Sequence, residues 1–307
     1  MRISPRPHRA WRDSEAPSRK WPVKTIDFHI HVTPPQISSD WRKFAEGGPF
    51  FEPHFSLLSK SPLNKFASAE EIVAMLDTSG FDMGIIFGFG FRDQGLCRLV
   101  NDYVIEKTRQ FPKRLIGFMS VSPGAEGAEK EIARCHEAGL IGVGEICPVG
   151  QDFAVDDENE TRILVEACRE RNLPIILHVN EPVGHSYPGK TTTSLRKIER
   201  FIENSQGVRI ILSHLGGGLL FYEAMPEMRK KCRNVYYDTA ATPFLYEKSI
   251  YKAALALGLG EKIIFGSDFP LLHPSRYLHS LDILPLADYV QIMGGNAENL
   301  LSGLPEP

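Results

Sequence analysis

Short runs of apolar residues alternate with longer amphipathic segments along most of the chain. Eight of these runs are strand-like and rich in β-branched or aliphatic residues, beginning with VKTIDFHIHV at position 23. The others are FDMGIIFGFG, RLIGFMSVSP, LIGVGEICP, LPIILHVNEP, VRIILSHLGG, NVYYDTAATP and KIIFGSDFPL. Strands that are buried on both faces have this composition, so the runs predict a parallel sheet covered by helices.

The segments between the runs show the i, i+3, i+4 spacing of amphipathic helices. An α/β protein with eight such alternations has the number of strands that closes a (β/α)₈ barrel. An open, doubly wound sheet is the alternative, but no GxGxxG motif follows the first run. Two predicted helical faces illustrate the spacing: Leu96, Leu99, Val100, Tyr103 and Val104, and Leu195, Ile198, Phe201 and Ile202.

Polar residues occur where the strand-like runs end. In barrel enzymes the catalytic groups lie at the carboxyl ends of the strands, so these residues are candidates for chemistry. Each one alone has a structural explanation, such as a hydrogen-bonded core histidine, a capping aspartate or a glutamate paired with a cation. Together they form one set of side chains that can bind metal: His29, His31, Glu145, His178, His214 and Asp268.

The first run contributes two histidines within the segment TIDFHIHVTPP. Residues i and i+2 of a strand lie on the same face, so His29 and His31 point to one side. Imidazole and carboxylate ligands suit zinc, manganese or iron better than calcium or magnesium. Because the set contains no thiolate, it favours a catalytic metal site over a closed structural one. We therefore expect one or two divalent metal ions, with zinc preferred.

The composition is that of an ordinary globular protein, with 307 residues of which 42% are hydrophobic and 24% are charged. A formal net charge of -3 gives no electrostatic case for nucleic acid or a membrane surface as a partner. This favours a small-molecule substrate and leaves assembly into a homo-oligomer open. The scattered cysteines argue against disulfides and favour the cytoplasm. They are Cys97, Cys135, Cys147, Cys168 and Cys232.

Residues 1–22 differ from the rest of the chain, because they are rich in Arg, Pro and Ser and have little apolar periodicity. We predict an irregular N-terminal extension there, followed by one barrel domain over residues 23–307. An organelle-targeting leader is the alternative, which the interspersed prolines and acids disfavour. No apolar run in the sequence approaches the roughly 20 residues needed to span a bilayer.

The sequence resembles the amidohydrolase superfamily, specifically its amidohydrolase-related (amidohydrolase 2) branch. The resemblance covers residues 23–302 and rests on FHIHVTPP, ILHVNEP, ILSHLGGG, IFGSDFP and the closing GGNAENLL. It implies an α/β fold of the distorted TIM (β/α)₈ barrel type, with one or two divalent metals. Hydrolases and non-oxidative decarboxylases both occur among the members of this family.

The resemblance also implies a role for each residue. His29, His31 and His178 would bind metal. His214 would bind a second metal or hydrogen-bond to the reacting group, and Asp268 would be both ligand and proton carrier. Many two-metal relatives carry a carboxylated lysine in strand four, where this chain has Glu145. That residue is similar to the bridging glutamate of TatD-like hydrolases, so we expect it to bind metal.

Two reaction classes are compatible with these residues. A metal-dependent hydrolase would use activated water on an ester, lactone, amide or phosphoester, with Asp268 and His214 as catalytic groups. The alternative is decarboxylation of a small, often aromatic, acid, in which Asp268 protonates the substrate carbon. Glu145 favours the hydrolase, because a bridging carboxylate serves two ions. A non-catalytic metal-stabilised protein is a third hypothesis, which the complete ligand set disfavours.

Two further segments are candidates for substrate recognition. The loop after strand five contains Asn180, His185, Tyr187 and Lys190, and its lysine would bind an anionic group unless the loop is simply solvated. Residues 34–67 contain no strand and would form a loop that covers the pocket or packs on its rim. Its aromatic residues are Trp41, Phe50, Phe51 and Phe55.

The glycines after His214 have two explanations. They permit a sharp turn out of strand six, or their backbone N–H groups bind a phosphate. We favour the turn.

Overall fold

A computed structural model describes residues 23–46 and 51–304, and the predicted extension over residues 1–22 lies outside them. Eight parallel strands form two sheets, with the order β1-β2-β3 in one and β4-β5-β6-β7-β8 in the other. The α/β fold and the number of strands are confirmed. The strands are β1 Ile26–His31, β2 Met83–Phe87, β3 Leu115–Gly117, β4 Val143–Ile146, β5 Ile175–Leu177, β6 Ile210–Leu212, β7 Val235–Asp238 and β8 Ile263–Ile264.

Helices connect successive strands, and further helices follow the last strand. Those before the fifth strand are α1 Pro35–Ser38, α2 Arg42–Ala45, α3 Pro53–Ser59, α4 Ala69–Ser79, α5 Gln94–Gln110, α6 Ala128–Glu137, α7 Pro148–Gln151 and α8 Glu158–Glu170. The later ones are α9 Leu195–Asn204, α10 Ser213–Gly216, α11 Pro226–Lys231, α12 Thr242–Leu245, α13 Ser249–Ala256, α14 Leu278–Leu281, α15 Leu286–Val290 and α16 Asn296–Ser302. Short 3₁₀ helices span Leu219–Ala224, Cys232–Asn234, Gly260–Lys262 and Pro274–Arg276, and a π-helical turn spans Gln291–Gly295.

The helical prediction from apolar spacing is confirmed for α5 and α9. Asp93 begins α5 by accepting a hydrogen bond from the Leu96 backbone, and Ser194 accepts one from Lys197 at the start of α9. These side chains satisfy backbone N–H groups that the first turn of a helix leaves without partners.

The two sheets meet at both pairs of edges through isolated bridges. Met119 pairs with Val143, and Ile30 pairs with Phe269. A hydrogen bond also joins the first strand to the segment after the last one. In it, the Ser267 backbone N–H donates to Asp27 Oδ1 at 2.9 Å. The sequence predicts a closed barrel, in which every strand pairs with its neighbours, whereas regular pairing here is interrupted at two places, between β3 and β4 and between β8 and β1.

Two interruptions of strand register occur in strands that carry candidate ligands. The β1–β2 register shifts between Asp27 and Ile30, and the β4–β5 register shifts between Val143 and Ile146. An irregularity of this kind redirects side chains relative to an evenly pleated strand. Both shifts therefore fall at the positions that set the directions of His29 and Glu145.

A buried apolar cluster receives residues from strands of both sheets. Phe28 of β1 packs edge-on against Phe118, with ring centroids 5.7 Å apart. Ile176 of β5 and Ile211 of β6 belong to the same cluster, together with Leu300 of α16. Since His178 and His214 follow these isoleucines in the chain, the apolar cluster supports the strand ends that carry the candidate ligands.

The segment predicted as a loop between residues 34 and 67 contains three short helices, α1 to α3, in its described part. Phe44 and Phe55 from this segment are 5% and 2% exposed, so they belong to the core. Helices of four to seven residues are too short to show a clear apolar periodicity, which explains why the sequence did not reveal them.

No helix within residues 23–46 and 51–304 is both long and apolar enough to cross a membrane.

Candidate metal centre

Six buried side chains from five strand ends and the residues after them converge at one place. Each of the six is between 0% and 8% exposed. Their possible ligand atoms form two groups, and within each group these atoms lie within 4.8 Å of one another. The first group is His29, His31 and Asp268, and the second is Glu145, His178 and His214.

The first group combines the two histidines of β1 with the aspartate after β8. His29 Nε2 lies 3.2 Å from His31 Nε2. Asp268 Oδ1 lies 3.7 Å from His29 Nε2 and 3.4 Å from His31 Nε2. The bridge between Ile30 and Phe269 brings these distant segments side by side. A second contact joins them, because Asp268 N donates to His29 O at 2.9 Å.

Glu145 lies between the two groups. Its Oε2 is 3.9 Å from His29 Nε2 and 3.7 Å from His31 Nε2. Its Oε1 is 3.0 Å from His178 Nδ1 and 3.9 Å from His214 Nε2. Each carboxylate oxygen thus faces a different pair of histidines, which is the geometry that a bridging ligand requires.

In two of the histidines, the Nδ1 nitrogen points away from the cluster and has a hydrogen-bond acceptor. The other ring nitrogen, Nε2, therefore faces the centre of the cluster. His29 Nδ1 lies 2.8 Å from Asp238 Oδ2, and His214 Nδ1 lies 2.9 Å from the Ala240 carbonyl. A neutral imidazole that donates from Nδ1 has its lone pair on Nε2. When these rings are neutral, both Nε2 atoms therefore present a lone pair to the centre of the cluster.

Asp238 was not singled out in the sequence, although it ends β7 in the run NVYYDTAATP. Besides His29, it contacts two backbone donors, since Oδ1 accepts from His214 N and Ala240 N at 3.0 Å each. A carboxylate that orients a ligating histidine in this way is a usual outer partner at metal sites. The signal that could have identified Asp238 was its position at a strand end, which is how the candidates in five other runs were found.

Burial and the neighbouring charges have opposite effects on the pKa values of the side chains in this cluster. Burial disfavours the charged form of His29, but Asp238, Glu145 and Asp268 outweigh it and raise the pKa of that imidazole to about 10. Burial would raise the pKa of Glu145, yet the surrounding histidines, His178 and His29 foremost, bring it well below its ordinary value. The carboxylates here are stable as anions only with compensating positive charge nearby.

A divalent cation fits this donor set. His29 Nε2 and His31 Nε2 face one another at 3.2 Å, and the Nδ1 proton of His29 is directed to Asp238. Two nitrogen lone pairs at this separation repel each other unless a proton or a cation lies between them. Imidazole nitrogens together with carboxylate oxygens suit a transition metal such as zinc, manganese or iron.

A cavity of about 370 Å³ opens onto the cluster. His31, Glu145, His178, His214 and Asp268 line its inner end. Its other walls are largely apolar, and they include Leu58, Pro62, Leu63, Phe89, Leu245, Leu271 and Leu272. The size of this cavity suits a small molecule.

Three of the four residues predicted to bind substrate line the cavity, and the fourth does not. Asn180, His185 and Tyr187 line the cavity. Lys190 does not: its Nζ donates to the carbonyls of Val183 and His185 at 2.6 and 3.0 Å. Because its ammonium group is bound within the loop, the structure gives no support to its predicted contact with an anionic group.

The sequence left open whether the aromatic residues between positions 34 and 67 line the cavity or pack beside it, and in the described part of this segment they pack beside it. Phe55 packs among Phe66, Phe89 and Phe91 instead of lining the cavity. Trp41 packs against Phe66 at 5.9 Å, Phe51 is exposed, and Phe50 lies outside the described residues. The segment contributes Leu58 and Leu63 to the cavity wall instead.

His54 is a cavity residue that the sequence did not indicate. It comes from α3, is 5% exposed, and its ring centroid lies 6.3 Å from that of His178. Burial, with His178 as a further cause, lowers the pKa of His54 to about 4, so the ring is neutral at pH 7. Its position depends on packing of α3 against α7, which the periodicity of the sequence does not reveal.

The glycines after β6 form the predicted sharp turn. His214 and Leu215 have φ values of 58° and 53°, and Gly216, Gly217 and Gly218 also have positive φ. Glycine adopts this left-handed region without steric cost. The turn directs His214 toward Glu145 while the chain reverses direction.

Comparison with solved structures finds the same fold in decarboxylases. The 5-carboxyvanillate decarboxylase from Sphingomonas paucimobilis is 16% identical, with a TM-score of 0.71 over 91% of this chain and 99% of that one. The manganese-bound 5-carboxyvanillate decarboxylase from Novosphingobium aromaticivorans is 15% identical, with a TM-score of 0.66 over 92% and 96%. The 2,6-dihydroxybenzoate decarboxylase from Rhizobium is 17% identical, with a TM-score of 0.65 over 91% and 99%.

A search of curated protein sequences returned no significant match. The sequence profile of the family described as amidohydrolase matches residues 26–302, which include all six side chains of the cluster. On the extent of that match, this chain belongs to the amidohydrolase family.

Proposed function

We propose that this protein is a metal-dependent, non-oxidative decarboxylase of a small aromatic carboxylic acid. The observation that carries the proposal is the apolar cavity whose inner end is formed by Asp268 and the histidine–carboxylate cluster. The decarboxylases with the same fold support this reaction over the hydrolysis that the sequence alone favoured.

The proposal includes a distorted (β/α)₈ barrel as one domain over residues 23–307. Eight parallel strands in sequential order, with edge bridges between the two sheets, support this architecture. The distortion would lie at the register shifts of β1 and β4, where the candidate ligands are placed.

The metal would be held by His29, His31 and Asp268, with His178, His214 and Glu145 available as further ligands. A divalent cation bound there would act as a Lewis acid that orients a substrate carboxylate and neutralises its charge. Zinc remains the preference from the donor set, and manganese is supported by the manganese-bound decarboxylase of the same fold.

The protein's own residues would contribute positioning, exclusion of water and a proton. Phe89 and Leu272 in the cavity wall would contact the ring of the acid, and burial there favours loss of the charged carboxylate. As the bond between the ring carbon and the carboxylate carbon breaks, the electron pair stays on the ring carbon. Burial opposes ionisation of Asp268, but the hydrogen bond from His31 and the charge of His29 outweigh it and lower its pKa, so the resting side chain is an anion. Asp268 would therefore take up a proton from solvent and deliver it to that carbon, and carbon dioxide would leave.

A substrate panel tests the proposed reaction. Purified protein is reconstituted with manganese or zinc and incubated with hydroxylated benzoates, and carbon dioxide and the decarboxylated phenol are quantified. We expect release from at least one acid, and loss of that release after chelation. Hydrolysis of esters, lactones, amides or phosphoesters, with no carbon dioxide from any acid, would contradict the proposal.

Hydrolysis remains the second candidate because of one observation. The two oxygens of Glu145 face different histidine pairs, which suits two metal ions and a water-activating site. Elemental analysis distinguishes the two: a ratio of two metals per chain favours the hydrolase, and a ratio of one favours the decarboxylase.

A further inference from the structure

The side walls of the cavity differ in charge from its inner end. Within residues 23–46 and 51–304, no lysine or arginine side chain lines the cavity. Residues 47–50, between these ranges, are Gly, Gly, Pro and Phe and have no charged side chain. The lining therefore offers a permanent positive charge only at the inner end, from a metal ion held by the ligand cluster.

Lys190 belongs to the loop that forms part of one wall, but its ammonium group is bound to the loop itself. Its Nζ donates to the carbonyls of Val183 and His185, and it lies 5.5 Å from the centroid of the Tyr187 ring. Two of its three N–H donors are thus in use. Contact with a substrate anion would require this lysine to give up both carbonyls.

The hydroxyl group of Tyr187, on the same wall, is directed to a carboxylate of the protein. It donates to Glu181 Oε2 at 3.1 Å and accepts from Asn180 Nδ2 at 3.0 Å. A phenol has a single proton, so none remains for an anion in the cavity. With the negative charge of Glu181 behind it, this oxygen disfavours a carboxylate and can accept a hydrogen bond from a neutral hydroxyl.

Much of the remaining wall is apolar and includes Leu58, Leu63, Leu245 and Leu271. Transfer of a carboxylate from water to such a wall is unfavourable unless a cation accompanies it. A metal ion at the inner end would compensate the charge of one carboxylate. A second carboxylate on the same ring would face leucines or the Tyr187 oxygen.

We infer that this site takes acids with a single anionic group, whose other ring substituents are neutral, and that it excludes a second carboxylate. The chemistry at the inner end rests on the proposed function. The exclusion of a second anion rests on the composition and hydrogen bonds of the walls.

The test compares ligands of nearly equal shape that differ in charge. The probes are isophthalate and terephthalate, whose carboxylates are too far apart to bind one metal ion, and the monoamide of each. Isothermal titration calorimetry of the zinc- or manganese-loaded protein at pH 8, where an ordinary imidazole is neutral, gives their Kd values. We expect each diacid to bind about 100-fold more weakly than its monoamide, because its second charge lacks a partner.

Two results would overturn the inference. One is binding of either diacid as tight as that of its monoamide. The other is failure of benzoate and both monoamides to bind, because the cavity would then not be a site for such acids.

A variant of Lys190 tests whether its ammonium group turns to the ligand. Lys190→Met keeps an unbranched side chain without the charge, and the ratio of diacid to monoamide affinity should not change. Lys197→Met is the matched control, because Lys197 pairs with Asp156 at 2.9 Å and is not part of the cavity lining. A selective loss of diacid binding in Lys190→Met alone would identify Lys190 as an anion contact and contradict the inference.

The outcomes separate this inference from the proposed function. If hydroxylated benzoates release carbon dioxide and the diacids bind as tightly as their monoamides, the function stands and the inference fails. If no acid releases carbon dioxide, the proposed function fails, and the ratio of Kd values alone decides whether the walls exclude a second anion.

Discussion

Asp268 is the residue on which the proposed chemistry depends most directly. It has a φ of 62°, a left-handed conformation that Asn tolerates as well as Asp does. Asn offers an oxygen to a metal but cannot accept and return a proton. We therefore expect Asp268→Asn to fold and bind metal while turnover of the best acid falls by about 10²- to 10⁴-fold.

The measurement compares kcat at matched metal content and matched melting temperature. Asp152→Asn is the control, because Asp152 has a φ of 58° and its side chain is 73% exposed, outside the cavity wall. Undiminished turnover in Asp268→Asn would remove this residue from both the decarboxylase and the hydrolase hypotheses.

The sequence was most informative for residues that end strands. The candidate ligands could be predicted because a parallel α/β protein gathers its strand ends at one edge, and these six have side chains able to bind metal. His54 could not be predicted, since its place in the cavity depends on how α3 packs. The role predicted for Lys190 gains no support from the structure, because a lysine in a loop can satisfy its charge with nearby carbonyls, as it does here.

At the scale of elements, long helices could be predicted from the sequence more easily than short ones. The helix α5 has 17 residues and shows its apolar face clearly, whereas α1 and α2 have four residues each and show none. Strand identity was equally clear from β-branched runs. The register shifts in β1 and β4 were not predictable, because they depend on contacts between strands and leave no mark on the alternation of the sequence.

The π-helical turn before α16 makes a close backbone contact with the start of β1. A Cβ on Gly294 would lie 1.8 Å from Lys24 O and 3.2 Å from Thr25 Cα. Since backbone atoms on both sides must move, we expect Gly294→Ala to lower the free energy of unfolding by about 1–3 kcal/mol or more. Urea unfolding followed by circular dichroism measures this change.

The neighbouring glycine provides a matched control. A Cβ on Gly295 would meet only the end of the Gln291 side chain, at 2.4 Å from its Oε1, and that side chain can rotate away. Alanine also favours helix over glycine by about 1 kcal/mol. Gly295→Ala should therefore be neutral or stabilising, and equal destabilisation by both variants would contradict the proposed contact.

For the whole molecule, metal binding and stability are linked. The cluster joins β1 and β4 with the segments that follow β5, β6 and β8, so a bound cation would connect both sheets. A ligand of the folded state present at 100 times its Kd adds about 2.7 kcal/mol to the free energy of unfolding. We expect zinc or manganese to raise the melting temperature by several degrees and a chelator to reverse the rise.

Calcium is the control for this measurement, because it prefers six to eight oxygen ligands and the cluster is rich in imidazole. Scanning calorimetry at matched ionic strength gives the three melting temperatures. The same value with zinc, with manganese and after chelation would argue against metal binding by the cluster.

The hydrogen bond between Ser267 and Asp27 has a consequence for synthesis of the protein. The two residues are 240 positions apart, and at about 5–20 residues per second a ribosome needs about 12–48 s to travel between them. During this interval β1 has emerged without the segment that pairs with Ile30 and supplies Asp268. For this interval the nascent chain therefore carries His29 and His31 without Asp268, so the pocket forms only after the last strand has been made.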